Sequence, residues 1–220
     1  MTFVYFIVIT PNIELHRIVR KKGRPLSFDR EVALHQAMLS FWRHGYESTS
    51  LNDLTAAMGV KPSSIYAVFG DKKRLFLEAV ARYTSGPVTA QSIISQAATA
   101  RDAAHGLLKA AVLGFTGEET PRGCLLATSA ISCSAEALDV QQALAQIRIG
   151  VEARLQKKIA SDMKSKLIPA DTDAQALAAH ILAVIQGLST LARDGASREK
   201  LFRVAEVAMG SWPKTKPQHR

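Results

Sequence analysis

The chain has 220 residues, 47% of them hydrophobic, which excludes a disordered chain and allows one sizeable domain or two small ones. Lys and Arg number 28 against 19 Asp and Glu, a formal net charge of +9 that suits a polyanionic partner. Two cysteines, Cys124 and Cys133, exclude a disulfide framework, and an aromatic content of 6% with recurrent Ala and Leu favours helices over sheets.

The apolar opening FVYFIVI, Phe3 to Ile9, falls well short of the roughly 20 residues that span a bilayer. No basic residue precedes it and no clear cleavage site follows, so it does not read as a signal peptide. A cytoplasmic protein with no membrane partner is expected. Residues 1–25 read as a flexible basic arm, where Arg17, Arg20, Lys21, Lys22 and Arg24 face only Glu14, and Gly23 and Pro25 interrupt any helix. Ser27 or Asp29 can cap a first helix with an apolar face of Val32, Ala33, Ala37, Leu39, Phe41 and Trp42, ended by Gly45.

Thr49 and Ser50 cap the next segment, and Ser50 with Asp53 stands in the S-x-x-D arrangement of a capping box. Leu51, Leu54, Ala57 and Met58 form its buried stripe, and Gly59 stops it. Lys61-Pro62 opens a third helix, because proline is tolerated in a first turn, with Ile65, Val68 and Phe69 inward. A fourth helix runs from Lys72 to Tyr83, with Leu75, Phe76, Ala79 and Val80 on one face. Ser85-Gly86-Pro87 then breaks the chain. The expected organisation is a small helical domain at 26–85, a second helical domain at 86–212 and a disordered tail at 213–220.

Beyond the break the helical pattern lengthens. Ala103 to Phe115 is apolar, and GEETPRG separates it from CLLATSAI. Ala137 to Leu167 reads as one long helix, and Asp173 to Arg193 as another with Leu177, Ile181, Val184, Ile185, Leu188 and Leu191 at spacings of three and four. A last helix presents Leu201, Val204, Ala205, Ala208 and Met209. The fold class is all-α.

Two short helices joined by the tight turn AMGVK meet the requirements of a helix-turn-helix. Leu54, Ala57 and Met58 would pack against Ile65 and Phe69, leaving Lys61, Ser63, Ser64, Tyr66 and Ala67 outside. Lys61, Ser63 and Ser64 suit base edges in a major groove; Thr49, Ser50, Tyr66 and Lys72 suit phosphates of double-stranded DNA. The same residues also fit a plainer reading, with Tyr66 half-buried in a core and Lys72, Lys73 and Arg74 on a solvated face.

The stretch STSLNDLTAAMGVKPSSIYAVFGDKKRLFLEAV resembles the N-terminal domain of TetR/AcrR-family transcriptional regulators, through Tyr66, Phe69 and Lys72 at the family's spacing. The likeness runs from Gly23 to about Tyr83 and includes GRP and HGYESTS; Val68 departs from it, where many members carry histidine or tyrosine. PRGCLLATSA and IQGLSTLARDGASREKLFRVAEVAM resemble segments of one branch of the family. The resemblance implies a ligand-responsive, DNA-binding regulator, most often a repressor of a pseudo-palindromic operator. It implies a homodimer formed through the last two helices, here through Leu177, Ile181, Val184, Leu188, Leu201, Val204 and Ala208, although burial inside one protomer would equally explain those stripes. It gives the basic run Arg20, Lys21, Lys22 and Arg24 a role along phosphates or in a minor groove, against the alternative of a solvated run.

A small-molecule effector pocket should be apolar with a few polar groups, and Leu107, Leu108, Ala111, Phe115, Leu125, Thr128, Ser129, His180 and Gln186 are candidates, most of which would equally serve as plain core. Cys124 joins them. It follows Arg122 and starts a helix, two features that would lower a thiol pKa, and some family members sense electrophiles or oxidants through a cysteine in a comparable RGC segment. A thiol sensor using Cys124 is therefore the alternative within the family, beside a small buried residue with no redox role. Cys124 and Cys133 would lie on opposite faces of a continuous helix, which argues against their pairing. No cofactor is expected, and neither a metal-spaced Cys/His cluster nor a P-loop or H-E-x-x-H occurs in the sequence. An all-helical enzyme and a basic protein-docking module remain the competing classes, and neither uses the helix-turn-helix.

Overall fold

The computed structural model describes residues 28–213. The basic arm, the alternative cap Ser27 and the tail beyond Pro213 lie outside the described residues, which hold α-helices and one 3-10 turn with no strand among them.

Helix α1 (Arg30–His44) starts where the Asp29 carboxylate accepts the backbone N–H of Glu31 at 2.8 Å and of Val32 at 3.2 Å. It buries Ala33, Leu34, Ala37, Met38, Phe41 and Trp42, but Val32 is 57% exposed and does not belong to the apolar face. Gly45 ends it at φ +85°, a backbone angle that favours glycine. Helix α2 (Leu51–Met58) carries the expected capping box, with Ser50 and Asp53 exchanging hydrogen bonds. Its buried stripe is narrower than the pattern suggests: Leu54 and Met58 are buried and Ala57 is exposed. A two-turn helix crossing its neighbours meets them along one i, i+4 line, and Ala57 falls beside that line.

Gly59 turns the chain in the left-handed region, and α3 (Pro62–Phe69) follows with Pro62 in its first turn and Ile65 and Phe69 buried. Asp71 caps α4 (Lys72–Tyr83) by accepting Arg74 N–H at 2.7 Å. Helix α4 packs on α1 and α3 through Leu75, Phe76, Ala79, Val80 and Tyr83. Aromatic edges lock this bundle: Phe41 meets Phe76 at 5.0 Å and Trp42 meets Tyr83 at 4.9 Å, both near perpendicular.

After the 85–87 break the structure holds a helix that hydropathy does not reveal, α5 (Ala90–Gln96), capped by Thr89 and burying only Ala90 and Ile94. Helix α6 (Ala100–Phe115) begins three residues before the apolar run because Thr99 supplies its cap. The segment CLLATSAI forms only one turn, α7 (Leu125–Thr128), so the premise of a continuous helix from Cys124 to Cys133 does not hold; both thiols are free. A 3-10 turn at Ala135–Ala137 leads into α8 (Leu138–Lys164), which is shorter at its C-terminus than the expected 167 because Lys166 takes φ 59°. Helices α9 (Ala174–Arg193) and α10 (Arg198–Gly210) are the last among the described residues and pack on α6.

Candidate nucleic-acid interface and internal cavity

The two apolar anchors of α3 point into the bundle, Ile65 at 0% and Phe69 at 4% exposure, so the opposite face of a helix this short must look outward. That face carries Lys61, Ser63, Tyr66 and Ala67, all exposed, with Ser64 half-exposed beside them. The side chains of Ser63, Ser64 and Tyr66 make no hydrogen bond to any described residue, and Lys61 caps the helix by position without a side-chain bond. Tyr66 is 53% exposed, which decides against the core reading of this residue.

Lys72 opens α4 next to this face. Its ammonium lies 4.7 Å from the centre of the Tyr46 ring and donates to the Glu47 carbonyl at 3.3 Å. Partial burial lowers the Lys72 pKa from the ordinary lysine value, with Glu47 opposing. Burial, then Glu47, Asp71 and Cys133, raise the Tyr46 pKa and keep its hydroxyl protonated. Tyr46 and Glu47 thus position Lys72, a role that sequence spacing does not disclose. Lys73, one residue on, is ion-paired with Asp139 at the start of α8 and ties the two halves of the molecule together.

Two expected phosphate contacts need correction. Thr49 is 1% exposed and its hydroxyl donates to the Gly45 carbonyl at 2.5 Å, so it closes the α1–α2 turn from inside. Ser50 is exposed, but both its N–H and its hydroxyl donate to the Asp53 carboxylate, at 2.8 and 2.6 Å. Its donors are committed to the cap, and the carboxylate beside it repels a phosphate. Arg20, Lys21, Lys22 and Arg24 lie outside the described residues.

The second half contains a mainly apolar cavity of about 50 Å³, walled by Leu107, Phe115, Leu126, Val151 and Leu182. Cys124, Arg148 and Gln186 also border it, and the surface they present to it is apolar. Of the expected effector contacts, Leu107, Phe115, Cys124 and Gln186 line this cavity, and Ala111, Leu125 and Ser129 are buried away from it. Leu108 is wholly buried in the core and does not line it. The Thr128 hydroxyl turns away to donate to the Cys124 carbonyl at 2.8 Å. His180 is exposed on the outer side of α9, with its ring 3.5 Å from the Ser211 hydroxyl, because the apolar stripe it follows in sequence faces the other way.

The Cys124 thiol is also not what the sequence suggests. Arg122 directs its guanidinium to the carbonyls of Ala192 and Ala196, at 2.9 and 2.5 Å, and α7 is a single turn. Burial pushes the thiol pKa up, against the weaker opposing effect of a hydrogen bond from the Tyr83 hydroxyl, whose oxygen lies 3.5 Å from Sγ. Cys124 is a neutral thiol at neutral pH.

The strand of loop that carries Cys124 is tied on both sides. Trp42 on α1 donates from Nε1 to the Gly123 carbonyl at 3.2 Å. Cys124 N–H donates to the Ser189 hydroxyl on α9 at 2.8 Å, and Arg193 on α9 donates to the Trp42 carbonyl. One wall of the cavity is therefore also the joint between α1 and α9. Gly123 has φ +84°, and a Cβ there would sit 2.9 Å from the Ser189 carbonyl oxygen, so this joint requires glycine.

The expected dimer residues divide. Ile181, Leu188 and Leu201 are 0% exposed and Ala208 8%, so these belong to the core of one protomer. Leu177, Val184 and Val204 are half-buried against that core. The surface left free on α9 and α10 is a different one: Ala176, Ala183 and Gly187, with Val207 77% exposed. Helix α9 is long and apolar enough to cross a membrane by length and composition, and only 28% of its most apolar window is buried within the protomer.

Residues 33–79 match the model described as bacterial regulatory proteins, tetR family, and residues 94–207 match the tetracyclin repressor-like C-terminal domain. The chain belongs to the TetR family. It is a DNA-binding transcriptional regulator of that family by both of its matched regions. Among relatives of this TetR-family chain, the HTH-type transcriptional repressor ComR of Escherichia coli is 33% identical over 198 residues, covering 89% of this chain and 94% of ComR. A cysteine-substituted form of the TetR-family regulator CifR, complexed with a 26-bp operator duplex, superposes with a TM-score of 0.79. It is 37% identical, and the match covers 87% of this chain and 100% of that one. A putative TetR regulator from a Rhodococcus species is 34% identical with a TM-score of 0.57, covering 84% and 100%.

Proposed function

We propose that the protein is a homodimeric, effector-released repressor that reads a pseudo-palindromic operator with α3. The observation that carries this reading is the outward face of α3, where Lys61, Ser63, Ser64 and Tyr66 hold polar groups without internal partners while Ile65 and Phe69 anchor the helix. Lys61, Ser63 and Ser64 face base edges; Tyr66 and Lys72 face phosphates, helped by the free N–H groups at the start of α4. Residues 26–85 form the reading domain and 86–212 the effector and dimer domain, in a cytoplasmic protein. The names of the repressor ComR and of the operator-bound CifR support the same reading by analogy.

Dimerisation uses the free apolar face of α9 and α10 around Gly187 and Val207, and sets the two α3 helices in successive major grooves about 34–36 Å apart or somewhat more. An effector in the cavity pushes on the 121–124 loop, which is tied to Trp42 on one side and Ser189 on the other. It then favours a spacing of the reading heads that misses the operator, and DNA affinity falls by the ligand's preference between the two states. Cys124 on the cavity wall keeps a thiol-sensing variant of this mechanism open to an electrophile that reaches the cavity, although its raised pKa makes it a slow nucleophile.

The test is selection of duplexes from a random library, followed by fluorescence anisotropy with the wild type, Ser63→Ala and Tyr66→Phe. A selected palindrome with weakened binding in both variants supports the reading. An empty selection sinks it.

A further inference from the structure

We propose that Ser134, just before the 3-10 turn Ala135–Ala137, is a positioning residue for DNA binding: it holds the Glu47 carboxylate off the Lys72 ammonium and so leaves that cation to a phosphate. The role rests on the reading of Lys72 as a phosphate contact. Ser134 N–H donates to Glu47 Oε1 at 3.2 Å, and the Ser134 hydroxyl donates to the same oxygen at 2.9 Å. The turn that carries Glu47 is pinned to the same connection between α7 and α8, because Tyr46 N–H donates to the Ser129 carbonyl at 2.7 Å. A Cβ on Gly45 would lie 3.3 Å from that carbonyl oxygen, so backbone packs closely on backbone here. The donors thus belong to the half that holds the cavity, and the acceptor to the half that carries α3.

Glu47 acts on Lys72 in two ways. Its backbone carbonyl accepts the ammonium at 3.3 Å, and its carboxylate is near enough to oppose the lowering of the Lys72 pKa by burial. Yet Lys72 forms none of the ion pairs among the described residues, so the acid stands close to the cation without pairing with it. An acid and a lysine this near attract each other, and only a competing hold on the acid keeps them apart. Ser134 supplies that hold through two donors on an ionised acceptor, which are the stronger kind of hydrogen bond. Its hydroxyl also serves Glu136, and its N–H keeps Glu47 in place when the hydroxyl turns. Released from Ser134, the carboxylate pairs with Lys72 and competes with the incoming phosphate. Ser134 and Glu47 are both exposed, so the effect is bounded by the strength of a surface ion pair.

The experiment is fluorescence anisotropy of the full-length protein on its selected operator, from about 50 to 200 mM salt. Ser134→Ala removes one donor. Ser134→Pro removes both at a residue whose φ of -63° proline already adopts. Each is measured alone, with Glu47→Gln and with Lys72→Met, and folding is checked by circular dichroism. A surface pair is worth roughly two- to fivefold, so Ser134→Pro should weaken binding by about tenfold for the two protomers of a dimer and lower the salt slope. Ser134→Ala should do the same to a smaller extent, and serves alone if the proline variant misfolds. Glu47→Gln should restore most of the loss, because an amide does not neutralise lysine, and in the Lys72→Met background the loss should vanish. Unchanged binding in Ser134→Ala and Ser134→Pro overturns the role of Ser134 while leaving Lys72 on its phosphate. A loss that Glu47→Gln does not restore, or that persists with Lys72→Met, makes the contact merely structural and overturns it too. A wild-type salt slope that Lys72→Met does not change sinks the phosphate reading, and the role of Ser134 with it.

Discussion

Replacing Lys72 by methionine tests the DNA-facing geometry with little disturbance to the fold. Methionine keeps an apolar stem over the Tyr46 ring, where the ammonium now sits at 4.7 Å, and removes only the charge and its bond to the Glu47 carbonyl. If Lys72 meets a phosphate, each lost contact reduces the slope of log affinity against log salt by about 0.9. At about 0.15 M salt that counterion term is worth about fivefold in affinity, and about thirtyfold for the two copies in a dimer. The slope should therefore fall by about 1.8 in total, a change that also counts protomers on the duplex. Fluorescence anisotropy on one operator and one scrambled duplex, from about 50 to 200 mM salt, reads both quantities. The loss should be similar on both sequences, because a phosphate contact carries no sequence information. Lys73→Met serves as the control, since that ammonium is already ion-paired with Asp139. An unchanged slope in Lys72→Met, or a loss confined to the operator, would refute the phosphate role.

Three further outcomes are expected. Gly123→Ala should destabilise the protein by about 2 kcal/mol or more in urea unfolding, because it forces alanine to φ +84° and drives its Cβ to 2.9 Å from the Ser189 carbonyl oxygen; a change under about 0.5 kcal/mol would mean the loop relaxes freely. In a Cys133→Ser background, Cys124 should react with iodoacetamide more slowly at pH 7.5 than a free peptide thiol and gain rate at higher pH, since burial raises its pKa. By linkage the same shift stabilises the fold while the thiol is neutral and is lost as pH rises from the unfolded thiol's pKa through the folded one, because the unfolded chain ionises first; faster alkylation than the peptide at pH 7.5 would contradict the buried setting. Val207→Glu places a charge on a residue 77% exposed in the protomer, so sedimentation should show weakened dimers with unchanged circular dichroism; unchanged association would move the interface elsewhere.

Local signals carried most of the helix boundaries. Asp29, Ser50, Asp71 and Asp173 each cap the helix expected to follow, because a cap is made by residues within three positions of one another. The turn at Gly59 and Pro62 at the start of α3 are equally local, and with Ile65 and Phe69 they leave Ser63, Tyr66 and Lys61 outward without help from distant contacts. Helix α5 escaped this reading because a seven-residue helix that buries two side chains has almost no period to detect.

What the chain alone determined, then, is the order of the longer helices and the outward face of α3. Only the tertiary structure decided which apolar stripe is core. The periods on α9 and α10 mark a buried face, but hydrophobicity is non-directional and does not distinguish burial against α6 from burial against a second copy. Packing on α6 and α8 buries Ile181, Leu188 and Leu201 and leaves Gly187 and Val207 outside. The thiol of Cys124 was likewise beyond reach, since a pKa depends on groups remote in sequence, such as Tyr83, and on how much water the fold removes.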